Sequence, residues 1–196
     1  MGSSTGTGDE AVVRIEVEEM TGDREGPRPR ERFHWIESSG GPLVVLPVSH
    51  VPGWLGSYGA DFDATCEVEE YLGLVRVGAP EREKTGLVVA DEPLPATYIP
   101  DLRCVLQWQY APSESALVSA ARQSIEGPLD WQEGPLFELR EPVLMFDAAA
   151  SGGSLTSEES LDLSLPPGRY ECFTADYSRG SDVSGRLHQF RPEKSG

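Results

Sequence analysis

The chain has 196 residues, with 33 acidic and 16 basic side chains and a formal net charge of −17. That length supports one domain with a substantial core. The 21 glycines and 16 prolines favour short elements joined by turns and argue against long helices. Such an acidic chain repels nucleic acid and anionic membranes, and it attracts cations or basic proteins. Acidity alone is also a common route to solubility, so it does not by itself name a partner.

The negative charge is spread along the sequence. Residues 1–34 hold 8 acids and 5 bases, residues 35–110 hold 11 and 4, and residues 111–196 hold 14 and 7. The excess therefore belongs to the folded part of the chain, because no single acidic tail accounts for it.

The cysteines and the termini predict a reducing compartment. Cys66, Cys104 and Cys172 are odd in number and widely separated, and no C-x-x-C pair is present. The sequence has no apolar run of about eighteen residues for a membrane span, and its first residues lack the basic and apolar regions of a secretory signal. We therefore expect a cytoplasmic protein with reduced thiols.

The first 32 residues differ from the rest. Residues 1–9 are rich in Gly, Ser and Thr, which is typical of disorder. Apolar and charged residues then alternate over Val12–Glu18, the pattern of a half-buried strand, and a charged linker with prolines follows. The sequence thus predicts an N-terminal extension over residues 1–32 and a single domain over residues 33–193.

From Phe33 onward the chain reads as a series of short strands, each bounded by Gly, Pro or Asp. The predicted strands are Phe33–Glu37, Leu43–Leu46, Leu74–Val77, Leu87–Ala90, Val105–Tyr110, Phe137–Leu139, Val143–Phe146, Leu161–Leu165, Tyr170–Tyr177 and Arg186–Phe190. Turn residues at 38–42 and 166–168 predict two hairpins, one joining the first two strands and one joining Leu161–Leu165 to Tyr170–Tyr177.

Two segments have helical character. Residues 63–72 predict a short helix, with Asp61 or Asp63 as its N-cap and with Glu67, Glu69 and Glu70 on its solvated face. Residues 113–125 predict a second helix that Ser113 caps. Its apolar stripe is formed by Leu117, Ala120, Ala121 and Ile125. The fold class that follows is mostly β (α+β), an antiparallel β-sandwich or partly closed barrel with one or two short helices.

Three motifs that suggest chemistry fail on their spacing. Gly40-Gly41 precedes Pro42, which has no N–H, and then a strand, so it is no phosphate loop. G-x-S-x-G occurs once, at residues 2–6, without the strand and helix that a nucleophile elbow needs. The Asp61-x-Asp63 register places Cys66 and Leu72 where a calcium loop requires Gly and Glu. We therefore predict no catalytic residues, no metal and no cofactor.

The tryptophans have separate interpretations. Trp35 and Trp108 lie in predicted strands and are expected in the core. Trp54 lies in a Gly/Pro-rich loop with Tyr58 close by, so it is either a plug that closes one end of the sandwich or an anchor for a partner. The loop position favours the plug.

Seven segments, in this order, carry a family resemblance. They are WIESSGGPLVVLP, the loop Trp54-Leu55-Gly56, DFDATCEVEEYLGLVRVG, VVADEPLPATYIP, LQWQYAPSE, VLMFDAAASG and LSLPPGRYECFTADY. Together, from Trp35 to Arg191, they resemble immunity protein 21, a family of bacterial polymorphic toxin systems. The resemblance implies a cytoplasmic antidote that binds a protein toxin and has no catalytic residues of its own.

An acidic surface suits a toxin with a basic cleft, and tight inhibition also needs a desolvated aromatic centre. On charge density and loop placement, the candidate toxin-binding residues are Trp54, Asp61, Asp63, Glu67, Glu69, Glu70, Asp91 and Glu92. Two alternatives stay open at this stage. One is a small-ligand-binding sandwich or barrel whose aromatics line a cavity, and the other is a hydrolase assembled only in three dimensions.

Overall fold

Short runs of Val, Leu and Ile build two antiparallel sheets of five strands each in the computed structural model, which describes Met1, residues 32–90, Glu92 and residues 94–194. The strands are β1 Leu43–Pro47, β2 Leu72–Val77, β3 Lys84–Val89, β4 Ala96–Ile99, β5 Cys104–Tyr110, β6 Gln132–Leu139, β7 Val143–Asp147, β8 Ser160–Asp162, β9 Gly168–Arg179 and β10 Val183–Pro192. The helices of the described chain are α1 Ala60–Cys66 and α2 Glu114–Ile125. The first sheet has the order β2-β3-β1-β7-β8 and the second has the order β4-β5-β10-β9-β6.

The sheets pack face to face as a sandwich, and a helix covers the outer face of each. Val45 of the first sheet and Phe190 of the second share the central core between the sheets. Val44 points to the opposite face of the first sheet, where Phe62 of α1 packs. Leu117 of α2 covers the outer face of the second sheet. Because both faces of each sheet are covered, strands such as β1 are continuous apolar runs. The sandwich prediction is confirmed, and the barrel alternative is not.

The turn at residues 38–42 is a crossover between sheets, so the first predicted hairpin is wrong. Residues 33–37 form no strand beyond a single bridge from Ile36 to Ala96 in the second sheet, whereas β1 pairs with β3 and β7 in the first. Ser38 closes the turn through its hydroxyl, which accepts hydrogen bonds from the N–H groups of Gly40 and Gly41 at 3.2 and 3.0 Å. The Ser-Ser-Gly-Gly run therefore has a structural role as a turn.

The second predicted hairpin is wrong as well. β8 pairs with β7 in the first sheet, whereas β9 belongs to the second. Leu161, Leu163 and Leu165 are all buried, as their alternation predicts. The strand nevertheless ends at Asp162, because Ser164 adopts a left-handed backbone with φ of 45°. The Pro-Pro-Gly turn then carries the chain from one sheet to the other.

The two helices differ in how well the sequence predicted them. Ser113 caps α2, and its side chain accepts a hydrogen bond from the Ala116 N–H, as predicted. Neither aspartate caps α1. Its N-cap is Gly59, and Asp61 and Asp63 lie in the first turn, where carboxylates stabilise the positive end of the helix dipole. The predicted strand Val12–Glu18 lies outside the described residues. In the part of the chain that is described, no helix combines the length and apolar character needed to cross a membrane.

Candidate functional site

Trp54 packs in the apolar cluster on the outer face of the first sheet. Its side chain is 3% exposed, its indole N–H donates a 2.9 Å hydrogen bond to the Ala148 carbonyl, and its ring meets Phe146 edge-on at 6.4 Å between centroids. The predicted burial of Trp54 is confirmed, but the side chain packs on the outer face of the first sheet and does not close an end of the sandwich. Because its indole is buried and hydrogen-bonded within the fold, Trp54 presents almost no surface to a partner. We therefore leave it out of the proposed contact.

The same loop presents two other apolar side chains outward. Two 3₁₀ turns, Val51–Gly53 and Gly56–Tyr58, flank Trp54. Leu55 is 60% exposed and Tyr58 is 94% exposed. The sequence placed Tyr58 near Trp54 but did not show which of the two aromatic side chains faces solvent, because a loop has no regular periodicity.

Helix α1 runs antiparallel to β2 across the outer face of the first sheet. At its beginning, the Asp61 carboxylate accepts a 2.9 Å hydrogen bond from the Gly78 N–H, just beyond the end of β2. At its other end, Val68 packs on Gly73, where a Cβ atom would lie 2.5 Å from a Val68 methyl carbon. Asp61 is therefore half-buried and has a structural partner, whereas Asp63 is exposed.

The remaining predicted acids gather at the other end of α1. Glu67 is its C-cap, and Glu69 and Glu70 follow in the connection to β2, so these residues do not form a helical face as predicted. All three are exposed. The Ala90 N–H donates to the Tyr71 carbonyl at 3.0 Å, which brings the turn after β3 to the same end of the sheet. Exposed Glu92 belongs to that turn, and Asp91 lies outside the described residues.

A groove of about 580 Å³ opens beside these acids, between the edge strands of the two sheets. Its wall from the first sheet includes Glu69, Glu70 and Tyr71, and its wall from the second includes Glu133 and Pro135 of β6. Sequence reasoning missed Glu133, since only the packing of β6 beside β2 brings it to the predicted acids.

The carboxylates of the groove have no counterion among the described residues. In the described chain, no Lys or Arg lies within ion-pair distance of Glu69, Glu70 or Glu133. The nearby cation Arg186 is 5% exposed, stacks over the Tyr71 ring at 4.1 Å and bonds Asp176 at 2.8 Å. Arg186 therefore places a buried positive charge, paired with Asp176, behind the Tyr71 ring of the groove wall.

A buried polar chain lies on the inner face of the second sheet. Gln107 Oε1 and the Thr174 hydroxyl hydrogen-bond the two ring nitrogens of His188 at 2.9 and 2.8 Å. All three side chains are buried, and Gln107 Nε2 finds no hydrogen-bond partner among the described residues. Burial, with Arg186 as a second cause, lowers the pKa of His188 to about 3. This imidazole is neutral and inaccessible to substrate, so its interactions are internal to the fold.

The thiols are divided between core and surface. Cys104 and Cys172 are buried, and Cys66 is exposed. Burial raises the pKa of the Cys172 thiol to about 12 and that of Cys104 still further, so neither forms the thiolate that a nucleophile requires. Among the described residues, no group of three or more His, Cys, Asp or Glu side chains is arranged to hold a metal ion.

Comparison with known proteins identifies the family. A family model described as immunity protein 21 matches residues 34–183, which is more than half of the chain. Neither the curated proteins nor the solved structures yield a match. The matched region contains β1 to β9, both helices and the acids around α1, whereas β10 lies beyond it except for Val183. This chain belongs to the immunity protein 21 family.

Proposed function

We propose that this protein binds and neutralises a cognate bacterial toxin in the cytoplasm, and that the acidic surface along α1 makes the contact. We define that surface as Asp63, Glu67, Glu69, Glu70, Glu92 and Glu133. The observation that carries the proposal is that exposed Glu69 and Glu70, after α1, and exposed Glu133 of β6 line one groove, in a member of an immunity-protein family.

Some of these acids lie where their negative charge is unfavourable for α1, which favours a functional role for them. Asp61 and Asp63 lie at the beginning of α1, where a negative charge stabilises the helix. Glu67, Glu69 and Glu70 follow its end, where the helix dipole is also negative, and they repel one another. Among the described residues this second group forms no ion pair, and a cationic partner would supply one.

A basic toxin surface is the partner that this field suits. Carboxylates without internal counterions steer a positively charged protein into encounter and form charge-assisted hydrogen bonds once it is bound. The groove has a volume within the range of small-ligand sites, but such sites are mostly apolar. Its wall carries three carboxylates and a single aromatic ring, which favours a protein contact over the ligand-binding alternative.

The first experiment is co-expression with the protein encoded immediately upstream, scored by growth and then by co-purification. We expect the upstream product to arrest growth alone, and this chain to restore growth and form a stable complex. No toxicity and no complex would contradict the proposal.

Charge reversal then tests the surface. The triple variant Asp63→Lys, Glu67→Lys and Glu70→Lys should weaken binding more than about tenfold, mainly through slower association. The matched control is Glu126→Lys, Glu158→Lys and Asp182→Lys, which makes the same change in net charge at exposed positions on other parts of the sandwich. Equal losses in both variants would show that net charge, and not this surface, governs binding.

A further inference from the structure

The most exposed aromatic ring among the described residues lies in the loop that leads into α1. Tyr58 is 94% exposed and Leu55, three residues before it, is 60% exposed. Helix α1 begins two residues after Tyr58, with Asp63 exposed in its first turn. Single exposed apolar residues are ordinary, but here an aliphatic and an aromatic side chain are exposed on one loop, and we refer to the two together as the apolar patch.

The backbone that carries this patch is fixed in place. The Ser57 N–H donates to the Ala149 carbonyl at 3.2 Å, and the Gly152 N–H donates to the Trp54 carbonyl at 2.9 Å. Together with the Trp54 indole bond to Ala148, these contacts join residues 51–58 to residues 148–152.

Two glycines make this close approach sterically feasible. Gly56 has φ of 61°, and a Cβ atom there would lie 2.4 Å from the Ala149 oxygen. A Cβ atom at Gly152 would lie 1.8 Å from the Val51 oxygen. Any larger residue at either position would separate the two segments. The loop therefore holds Leu55 and Tyr58 in a fixed outward position without either side chain contributing to the core.

We infer that Leu55 and Tyr58 are the apolar anchor of the toxin contact, and that they insert into an apolar pocket with a basic rim on the toxin. The inference rests on the proposed function and names the desolvated centre that the acids alone do not provide. A rigid aromatic loses little conformational entropy on binding, and hot spots are typically such residues surrounded by polar groups. Charge complementarity selects the partner, since Asp63 beside the patch matches the basic rim.

The test measures binding kinetics with the protein encoded immediately upstream as the immobilised probe. The variant is Leu55→Ala with Tyr58→Ala, and the matched control is Tyr110→Ala with Leu136→Ala. The control also removes an exposed tyrosine and leucine, 59% and 39% exposed, from β5 and β6 of the second sheet. We expect the loop variant to dissociate about thirtyfold faster with little change in association, and the control to bind like the wild type. Circular dichroism and urea denaturation should show that both variants remain folded.

Each other outcome overturns the inference in a distinguishable way. If the wild type neutralises the upstream protein and the loop variant binds equally well, the anchor is wrong while the proposed function stands. Failure of the wild type to bind would overturn both. If sedimentation shows that the wild type self-associates and the loop variant does not, the patch joins two copies of this chain and does not face a toxin.

Discussion

Helices α1 and α2 cover opposite faces of one sandwich, but the charged side chains around them differ in how many are bonded within the chain. On the α2 side two charged side chains of the helix are bonded within the chain, whereas exposed Glu126 at its C-cap has no partner among the described residues. Glu114 accepts a 2.7 Å hydrogen bond from the Trp35 indole, and Arg122 forms an ion pair with Asp101 at 3.1 Å. Two of the three charged side chains of α2 and its C-cap therefore have a partner within the described chain.

On the α1 side most of the acidic side chains have no bonding partner among the described residues. The N-cap of α1 is a glycine without a side chain to bond the helix, and only Asp61 among its acids has a hydrogen-bond partner within the described chain. Asp63 and Glu67 are exposed. The comparison indicates that Glu114 and Arg122 of α2 are bonded within the fold, whereas Asp63 and Glu67 make no bond among the described residues. The predictions below test that division with measurements of stability.

The largest expected effect is a loss of stability that distinguishes buried Trp54 from exposed Tyr58 in the loop before α1. Trp54→Ala removes a buried ring and leaves the Ala148 carbonyl without its indole donor. We expect the free energy of unfolding to fall by about 4 kcal/mol, as for other buried aromatic deletions. Tyr58→Ala, four residues later, should stay within about 0.5 kcal/mol of the wild type because its ring is exposed. Urea denaturation measures both values, and similar losses would contradict the division of roles within this loop.

The second effect tests whether the buried polar chain is structural. The pKa of His188 is about 3 in the folded protein, below the value of about 6.5 in an unfolded chain. As the pH falls below about 6.5, the unfolded state therefore takes up a proton that the folded state refuses. The stability that the neutral imidazole preserves is complete above that pH and is lost as the pH falls toward 3.

By linkage, this residue should make the protein about 2 kcal/mol less stable at pH 5 than at pH 7. His188→Gln removes the titrating group and keeps a side chain that can hydrogen-bond Thr174 and Gln107. Urea denaturation at several pH values should show a flatter profile for the variant than for the wild type. A variant that loses the same stability between pH 7 and pH 5 would assign the acid sensitivity to other groups.

Local patterns in the sequence predicted most of the secondary structure but little of how the strands are connected into sheets. Alternation located most strands, and the Ser113 cap with its apolar stripe located α2. Turn signals at residues 38–42 and 166–168 were read as hairpins, whereas both are crossovers. A turn fixes where the chain bends. Whether the next strand pairs with the last one depends on which sheet offers it a buried face. β4, bounded by Pro95 and Pro100, was missed because four residues between prolines resemble a loop.

The candidate site shows the same limit. The acids along α1 are close in sequence, so charge density alone placed Glu67, Glu69 and Glu70 together. Glu133 comes from another sheet and joins them only through the packing of the two edge strands. The choice between Trp54 and Tyr58 required the hydrogen bond that buries one indole, and no spacing rule contains that information.

The smallest expected effect is a difference in stability between variants at the beginnings of the two helices. Ser113→Ala removes the side-chain oxygen that accepts the Ala116 N–H at 3.2 Å, and it should cost about 1 kcal/mol. Asp63→Ala, in the first turn of α1, removes an exposed carboxylate without a hydrogen bond in the described chain, and should stay within about 0.5 kcal/mol of the wild type. Thermal and urea denaturation of the two variants give the comparison directly. If Asp63→Ala were as destabilising as Ser113→Ala, that carboxylate would serve the fold, and the triple charge reversal would have to be repeated without it.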